Sequence, residues 1–353
     1  MNFERVERIA EAVLYEGYML YPYRASAVKN QQRWNFGVLC PRSYSEQQRG
    51  TEAWIMQTEC LLEAKPSTQL NIEIRFLQIV NRSIGRCPRP SKTHPQSEEP
   101  AFALVDKLVA GGRTMTPWQE AMERKLTITG LRPAAFSLHR HSFFEFPAKR
   151  ELEPIENANG MIEGVVIREW ETLSGEIEID LKMCREGIYK VTVCLRNLTD
   201  HELPRQESRT DALQHSFLSA HIILGAEDGR FVSQLDPPEG LRSLASGCVN
   251  IGTWPVLAGE NGSREAVLSS PIILYDYPQI APESPGSLFD GTEIDEILSL
   301  RILTMTDEEK REMRQSDERA REILERTENM PPERFMKLHG VLRSVRPLFE
   351  ETQ

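Results

Sequence analysis

The residues best suited to chemistry form a short histidine motif, His139-Arg140-His141, followed by Glu145. Successive side chains of a β-strand point to opposite faces, so His139, His141 and Glu145 would share one face of a strand. Two imidazoles and a carboxylate are a donor set that ligates zinc or iron in proteins. Phe143 lies on the same face, and solvated or hydrogen-bonded histidines are the alternative interpretation. We therefore take the three residues as candidate ligands of a transition metal.

The other histidines and the cysteines give weaker signals. His215 and His221 are six residues apart, so on one strand they would be separated by roughly 20 Å and could not hold the same ion. A predicted hairpin places Cys194 opposite Glu178, which is too far from Cys184 for a disulfide bond. The six cysteines are widely spaced and form no C-x-x-C pair. We expect them to be separate free thiols.

Motifs of the common catalytic and nucleotide-binding families are missing from the sequence. Gly111-Gly112-Arg113 lacks the strand and the Lys-Ser/Thr pair of a P-loop, and there is no G-x-S-x-G, no H-E-x-x-H and no dinucleotide-binding glycine pattern. Cys248 lies in a turn of small residues, and nothing identifies a histidine base beside it. The sequence therefore predicts no catalytic residues and favours a non-catalytic protein. The alternative is a metal-dependent enzyme or metal carrier that uses the histidines of the β domain.

Aromatic residues cluster in two parts of the chain, near the N-terminus and before the C-terminal helices. Tyrosine and tryptophan supply large contact areas at a small cost in side-chain entropy, which suits protein interfaces. The alternative is that these residues belong to the core or its border. The candidate partner-binding residues are Tyr15, Tyr18, Tyr21, Tyr23, Trp254, Tyr275 and Tyr277.

Charge and hydropathy exclude other classes of partner. The 353-residue chain has a formal net charge of −11, which disfavours binding to nucleic acid or to anionic lipid. Charged residues between Glu4 and Glu11 occupy the positions of a signal peptide's apolar core, and no segment approaches the roughly 20 apolar residues that span a bilayer. We expect a cytoplasmic protein without membrane insertion.

The elements that would position these residues are mainly strands. Residues 175–183 alternate between apolar and charged side chains, and residues 188–197 do the same after a turn at Arg185-Glu186-Gly187. This pattern predicts an antiparallel hairpin with one buried face, as in a β-sandwich. Strands also fit residues 70–80, 136–146, 164–170 and 270–277. A second hairpin fits residues 217–235, with its turn at Glu227-Asp228-Gly229.

Helical periodicity and capping signals predict helices over residues 2–15, 45–57 and 116–124, the last with Thr116 and Gln119 as a capping box. Similar signals predict C-terminal helices over 292–303, 306–328 and 333–345. The predicted fold class is α+β, in three regions. Residues 1–130 form a mixed α/β region with a proline-rich loop at 87–100, residues 131–285 a central antiparallel β-sandwich-like domain, and residues 286–353 a helical extension.

Three blocks of sequence carry a resemblance to a known family: YEGYMLYPYRAS (15–26), RTMTPWQEAMER (113–124) and the segment from Ser269 to Arg314. They resemble an uncharacterised bacterial family encoded near NiFe-hydrogenase genes. The resemblance implies an accessory protein that assembles, matures or escorts a hydrogenase. Its protein partner would be a hydrogenase subunit or a maturation factor. No fold and no catalytic residues follow from the resemblance.

Overall fold

The computed structural model describes residues 3–14, 36–91, 101–133, 137–200, 208–260, 262–279 and 305–314, together with 324–325 and 327–329. The chain divides into two compact units, Met1–Pro278 and Gln279–Gln353. The first unit contains the sheets and both candidate sites.

The first unit consists mostly of strands, and every ladder among the described strands is antiparallel. The strands are β1 (Ile55–Glu63), β2 (Gln69–Ser91), β3 (Ala103–Leu104), β4 (Leu108–Ala110), β5 (Arg113–Met115), β6 (Trp118–Leu131), β7 (Ser137–Phe146), β8 (Lys149–Glu156), β9 (Ile162–Trp170), β10 (Leu173–Arg185), β11 (Ile188–Asn197), β12 (Leu218–Glu227), β13 (Arg230–Phe231), β14 (Trp254–Ala258) and β15 (Ala266–Ser270). The helices are α1 (Glu4–Leu14), α2 (Arg42–Gln47), α3 (Arg209–Gln214), α4 (Arg242–Ser246) and, in the second unit, α5 (Asp307–Arg314).

The smaller of the two main sheets has the strand order β13-β1-β11-β10-β7. Its centre is the predicted β10–β11 hairpin, which is confirmed: Gly187 at the turn has a φ of 70°, a conformation that glycine adopts without strain. The register places Cys194 opposite Glu178, as the sequence predicted. Strict alternation along β10 and β11 therefore gives this sheet one apolar and one polar face.

The larger sheet has the order β14-β15-β12-β2-β9-β8, and β3 and β6 pair with β2 as well. The 23-residue strand β2 is the shared element, because it forms ladders with β3, β6, β9 and β12. The predicted strand over 70–80 is confirmed and extends further at its C-terminal end.

Apolar side chains from both main sheets form one buried cluster. On the smaller sheet they include Ile177, Ile179 and Leu181 of β10, which alternate with outward-facing charged residues. The larger sheet contributes residues of β2, β12 and β15, namely Leu70, Ile72, Ile74, Phe76, Ala220, Ile222, Leu224 and Val267. Burial of this kind contributes roughly 1.5–3 kcal/mol for each large apolar side chain. The fold is thus mostly antiparallel β-sheet, with its core between two open sheets.

Helix α1 lies on the face of the larger sheet that points away from this core. Its apolar stripe is buried, and Glu7 and Glu11 form ion pairs of 2.7 Å and 2.8 Å with Lys125 of β6 and Arg75 of β2. The predicted N-terminal helix is confirmed over its described residues. Because α1 lies on the outer face of the sheet, β2 is buried on both faces between Leu70 and Val80. The buried residues of the helix are Val6, Ile9, Ala10 and Leu14.

Two other predicted helices are wrong. Residues 45–57 contain the end of α2 and the start of β1, and residues 116–124 belong largely to β6. The capping box at Thr116 and Gln119 is a local signal, whereas β6 pairs with β2 over a register that runs from Arg82 opposite Trp118 to Leu70 opposite Leu131. Tertiary pairing of this length overrides a weak local preference for helix.

The second predicted hairpin is also wrong in its pairing. The chain turns at residues 228–229, but β13 crosses to the smaller sheet and pairs with β1, where Phe231 lies opposite Leu62 and is buried in the core. The predicted strand over 270–277 is wrong in its position, because the observed strand β15 lies earlier in the chain and ends at Ser270. Pro271 follows, and proline has no amide hydrogen with which to continue a ladder.

Residues on both sides of position 130 pair within one sheet, since β2 forms ladders with β9 and β12. The regions 1–130 and 131–278 therefore form a single compact unit. Helix α5 coincides with the start of the predicted helix over 306–328. The predicted helices over 292–303 and 333–345 lie outside the described residues, as does most of the 87–100 loop, of which residues 87–91 form the end of β2.

Candidate functional site

The polar face of the smaller sheet carries a groove with a volume of about 360 Å³. Alternation along β10 sends its charged side chains to this face, and the neighbouring strands add histidines, a lysine and an arginine. The groove crosses four strands, from β7 to β1. Its lining residues are Gln57, Glu59, His139, Glu178, Asp180, Lys182, Lys190, Thr192, Cys194 and Arg196.

At one end of the groove, His139 and His141 of β7 meet Glu178 of β10. The antiparallel register places His141 directly opposite Glu178. The two histidine Nε2 atoms are 2.7 Å apart, and each lies 3.9 Å from Oε1 of Glu178. Three donor atoms of the kinds that ligate transition metals therefore converge at one place. We call these three residues the His/Glu cluster.

Two further residues hold the His/Glu cluster in place. Oε1 of Glu176 lies 2.9 Å from Nδ1 of His141, and the Arg196 guanidinium donates to Oε2 of Glu176 at 2.9 Å and to Oε2 of Glu178 at 2.7 Å. The hydrogen bond from His141 lowers the pKa of Glu176 below its ordinary value, against the opposing effect of burial and with help from Arg196. An ionised Glu176 accepts the Nδ1 hydrogen of His141, so in the neutral imidazole Nε2 of His141 is the acceptor nitrogen that faces His139.

Glu145, the carboxylate predicted to join the two histidines, lies elsewhere on the strand. It is opposite Ser174, and its separation of four residues from His141 corresponds to about 13 Å along β7. The structure instead brings Glu178 to the histidines. The alternation along β10 puts Glu178 on the polar face of its strand, but no local pattern shows that β7 pairs with β10. The signal that could have suggested this pairing is that both strands have a polar face.

The other candidate residues take structural roles. His221 is completely buried, its Nδ1 donates to the Ser219 carbonyl oxygen at 2.8 Å, and burial lowers its pKa to about 3. Burial likewise raises the pKa of both Cys194 and Cys248 to about 11, so neither is a thiolate at neutral pH. All six cysteines are free, as expected.

Of the predicted partner-binding residues, Tyr15, Tyr18, Tyr21 and Tyr23 lie outside the described residues. Trp254 and Tyr275 are 45% and 86% exposed. Tyr277 packs against the main core, and its amide donates to the Leu257 carbonyl oxygen at 2.7 Å. The structure thus places two of the three described aromatics on the surface and one against the core.

Trp254 and Tyr275 belong to a concentration of exposed apolar side chains. Eleven large hydrophobic residues are exposed in the part of the chain that the structure describes, and five of them fall between residues 249 and 275. We call these five the edge surface, because β14 is the edge strand of the larger sheet. The edge surface consists of Val249, Ile251, Trp254, Ile273 and Tyr275.

The backbone beneath the edge surface is firmly held. Trp254 is opposite Ser270 in the β14–β15 ladder, and Ile251 forms a bridge with Gln57 of β1. The segment after Ser270 returns along β14, where Asp276 accepts a 2.8 Å hydrogen bond from the Leu257 amide. Trp254 therefore projects from a strand, and Ile273 and Tyr275 from a short irregular segment that is anchored at Ser270 on one side and at Asp276 and Tyr277 on the other.

Comparisons with known proteins yield no relative that assigns a family. No protein-family model matches the chain, and no curated protein matches it. Among solved structures, the open-gate structure of the Salmonella SPI-1 type III secretion injectisome secretin InvG (residues 176-end) is similar with a TM-score of 0.09 and 9% identity. The match covers 64% of this chain and 60% of the secretin chain, and a TM-score this low carries no argument about fold. None of the described helices has the length and apolar character needed to cross a membrane.

Proposed function

We propose that this protein is a non-catalytic accessory protein that acts by binding a protein partner. The observation that supports this proposal best is the edge surface. Five of the eleven exposed large hydrophobic residues occupy one short part of the described chain, and they include a tryptophan and a tyrosine. Contiguous exposed apolar patches mark binding surfaces, whereas single apolar side chains scattered over a protein do not, and our proposal is that these five side chains form one such patch.

The energetic case rests on Ile273 and Tyr275, which are 71% and 86% exposed. Burying a large apolar side chain in an interface contributes about 1.5–3 kcal/mol of favourable free energy. Because the segment is anchored by the β15 ladder at Ser270 and by the bonds of Asp276 and Tyr277 to Leu257 of β14, it would need little further ordering on binding. Aromatic anchors on a pre-organised frame commonly provide most of the energy of a protein interface.

The resemblance to the family encoded near NiFe-hydrogenase genes supplies a partner for this proposal, a hydrogenase subunit or maturation factor in the cytoplasm. We propose an α+β, sandwich-like platform in which the two main sheets present the edge surface. The N-terminal segment that contains Tyr15, Tyr18, Tyr21 and Tyr23 would contribute further contacts with the partner.

Affinity purification tests this proposal directly. The full chain would be expressed with the hydrogenase subunits and maturation factors, and the co-purifying proteins identified by mass spectrometry. We expect a hydrogenase protein to be recovered with the wild type. A variant with Ile273→Ala and Tyr275→Ala should bind it at least about tenfold more weakly, since losing an interface anchor costs about 2 kcal/mol.

The matched control is Leu104→Ala, which removes an exposed leucine on β3, outside the edge surface. This variant should bind like the wild type. If no hydrogenase protein is recovered, the proposed partner is wrong. If a partner is recovered equally well with the edge-surface variant, the proposed binding site is wrong.

A further inference from the structure

We propose that the His/Glu cluster is a zinc-binding site, with Nε2 of His139, Nε2 of His141 and Oε1 of Glu178 as its ligands. This inference goes beyond partner binding and rests on a different set of residues. The three ligand atoms lie within 4.8 Å of one another and come from two neighbouring strands of one ladder.

The distances within the cluster suit a zinc ion. The three separations of 2.7, 3.9 and 3.9 Å define a triangle whose equidistant point lies about 2.1 Å from each atom, and zinc bonds to nitrogen and oxygen are about 2.0–2.2 Å long. Tetrahedral ligand atoms are about 3.3 Å apart at these bond lengths, so the two imidazoles would separate and Glu178 would approach, each by about 0.6 Å. The side chains of His139 and His141 are exposed, so small rotations suffice.

Hydrogen bonds around the cluster orient its ligands as they would be oriented in a metal site. Glu176 accepts from Nδ1 of His141 and thereby directs the Nε2 lone pair toward His139 and Glu178. A carboxylate behind a ligating histidine is a common feature of zinc sites. Arg196 binds Oε2 of Glu178 and leaves Oε1 of that residue turned toward the histidines.

The proton between the two histidines shows what the ion would replace. Because Nδ1 of His141 donates to Glu176, Nε2 of His141 accepts, and the 2.7 Å contact requires that Nε2 of His139 donates. On zinc binding this hydrogen would leave Nε2 for solvent and His139 would take up a hydrogen on Nδ1 instead, so that both neutral imidazoles ligate the ion through Nε2. The hydrogen-bonded pair therefore describes the metal-free state of the same site.

Three protein ligands leave at least one coordination position of zinc open. This position would face the groove, which also contains Lys182 and Lys190. A site with three ligands and an accessible fourth position can accept water or a small ligand of the ion. The cluster is thus a site that exchanges a ligand and not a closed structural site.

The test is isothermal titration of the untagged, metal-free full chain with Zn²⁺, combined with elemental analysis after dialysis. We expect about one equivalent of zinc for the wild type. His141→Ala and Glu178→Gln should each weaken binding by at least about tenfold, a loss of about 1.4 kcal/mol. Glu178→Gln preserves the shape of the side chain, and the circular dichroism of each variant checks that it has folded.

Glu145→Gln is the matched control, because Glu145 lies on the same exposed face of β7 but about 13 Å from His141. We expect this variant to bind zinc like the wild type. Less than about 0.1 equivalent of zinc on the wild type would overturn the inference. So would undiminished binding by both folded ligand variants, or an equal loss in Glu145→Gln and Glu178→Gln.

Discussion

The buried histidine of β12 gives a prediction whose size follows from the structure. His221 is fully buried, and its pKa of about 3 in the folded protein compares with an ordinary value of 6.5. Burial is the main cause, and the positive charge of Arg75, which lies opposite in the ladder, adds to it against the favourable hydrogen bond to Ser219. Below pH 6.5 the unfolded chain binds a proton at this residue that the folded chain does not bind.

The sign and the magnitude follow from this difference. Stability linked to His221 is fully present above pH 6.5 and is lost as the pH falls toward 3, because protonation favours the unfolded state. With these two pKa values, lowering the pH from about 7.5 to about 5.0 removes about 2 kcal/mol of unfolding free energy through His221 alone.

The assay compares the wild type with His221→Asn by urea unfolding at both pH values. Asparagine preserves a donor for the Ser219 carbonyl and does not titrate. The smaller asparagine side chain lowers the stability of the variant at both pH values. The other titrating groups affect the wild type and the variant equally. The wild type should therefore lose about 2 kcal/mol more than the variant on acidification. An equal loss in the two proteins would refute the assignment of a depressed pKa to His221.

Two further changes test the core and the support of the cluster. Phe76→Ala removes a buried ring that stacks on Phe217 with 4.4 Å between the ring centroids, and it should lower the unfolding free energy by about 3–5 kcal/mol in chemical denaturation. The control is Phe143→Ala on the exposed face of β7, which should change the unfolding free energy by less than about 0.5 kcal/mol. Similar effects of the two substitutions would contradict the placement of the core. Glu176→Ala, which removes the carboxylate behind His141, should weaken zinc binding by about 10–100-fold in titration calorimetry, and an unchanged affinity would show that Glu176 does not support the site.

Sequence alone sufficed where the information was local. The β10–β11 hairpin follows from alternation on both sides of Gly187, and its register even gave the pairing of Cys194 with Glu178. The helix predicted over 116–124 failed because its capping signal competed with a long ladder to β2 that no local window contains. The secondary structure of residues 116–124 is thus determined by a strand that lies far away in the sequence.

The candidate site shows the same limit. His139 and His141 were found because a spacing of two residues places them on one face of any strand. Glu178 was not connected to them, because it lies 37 residues beyond His141 and meets it only through the β7–β10 register. Glu145 was predicted as a ligand because it shares a strand face with the two histidines, although four residues of extended strand exceed the span of one coordination sphere.

The shared strand β2 has a consequence for the biosynthesis of the protein. Its apolar residues emerge early during translation, yet its partner β12 begins at Leu218 and the edge of the same sheet is completed only by β14 and β15, which end at Ser270. Domains that depend on contacts between residues far apart in sequence fold slowly, and apolar strands are prone to aggregation until their partner strands pair with them. One edge of β2 can pair with β6 once Leu131 has been synthesised, whereas the edge that pairs with β12 would stay unpaired through the synthesis of about 130 residues after β2. We expect the yield of the protein to depend on chaperones that shield this edge on the ribosome.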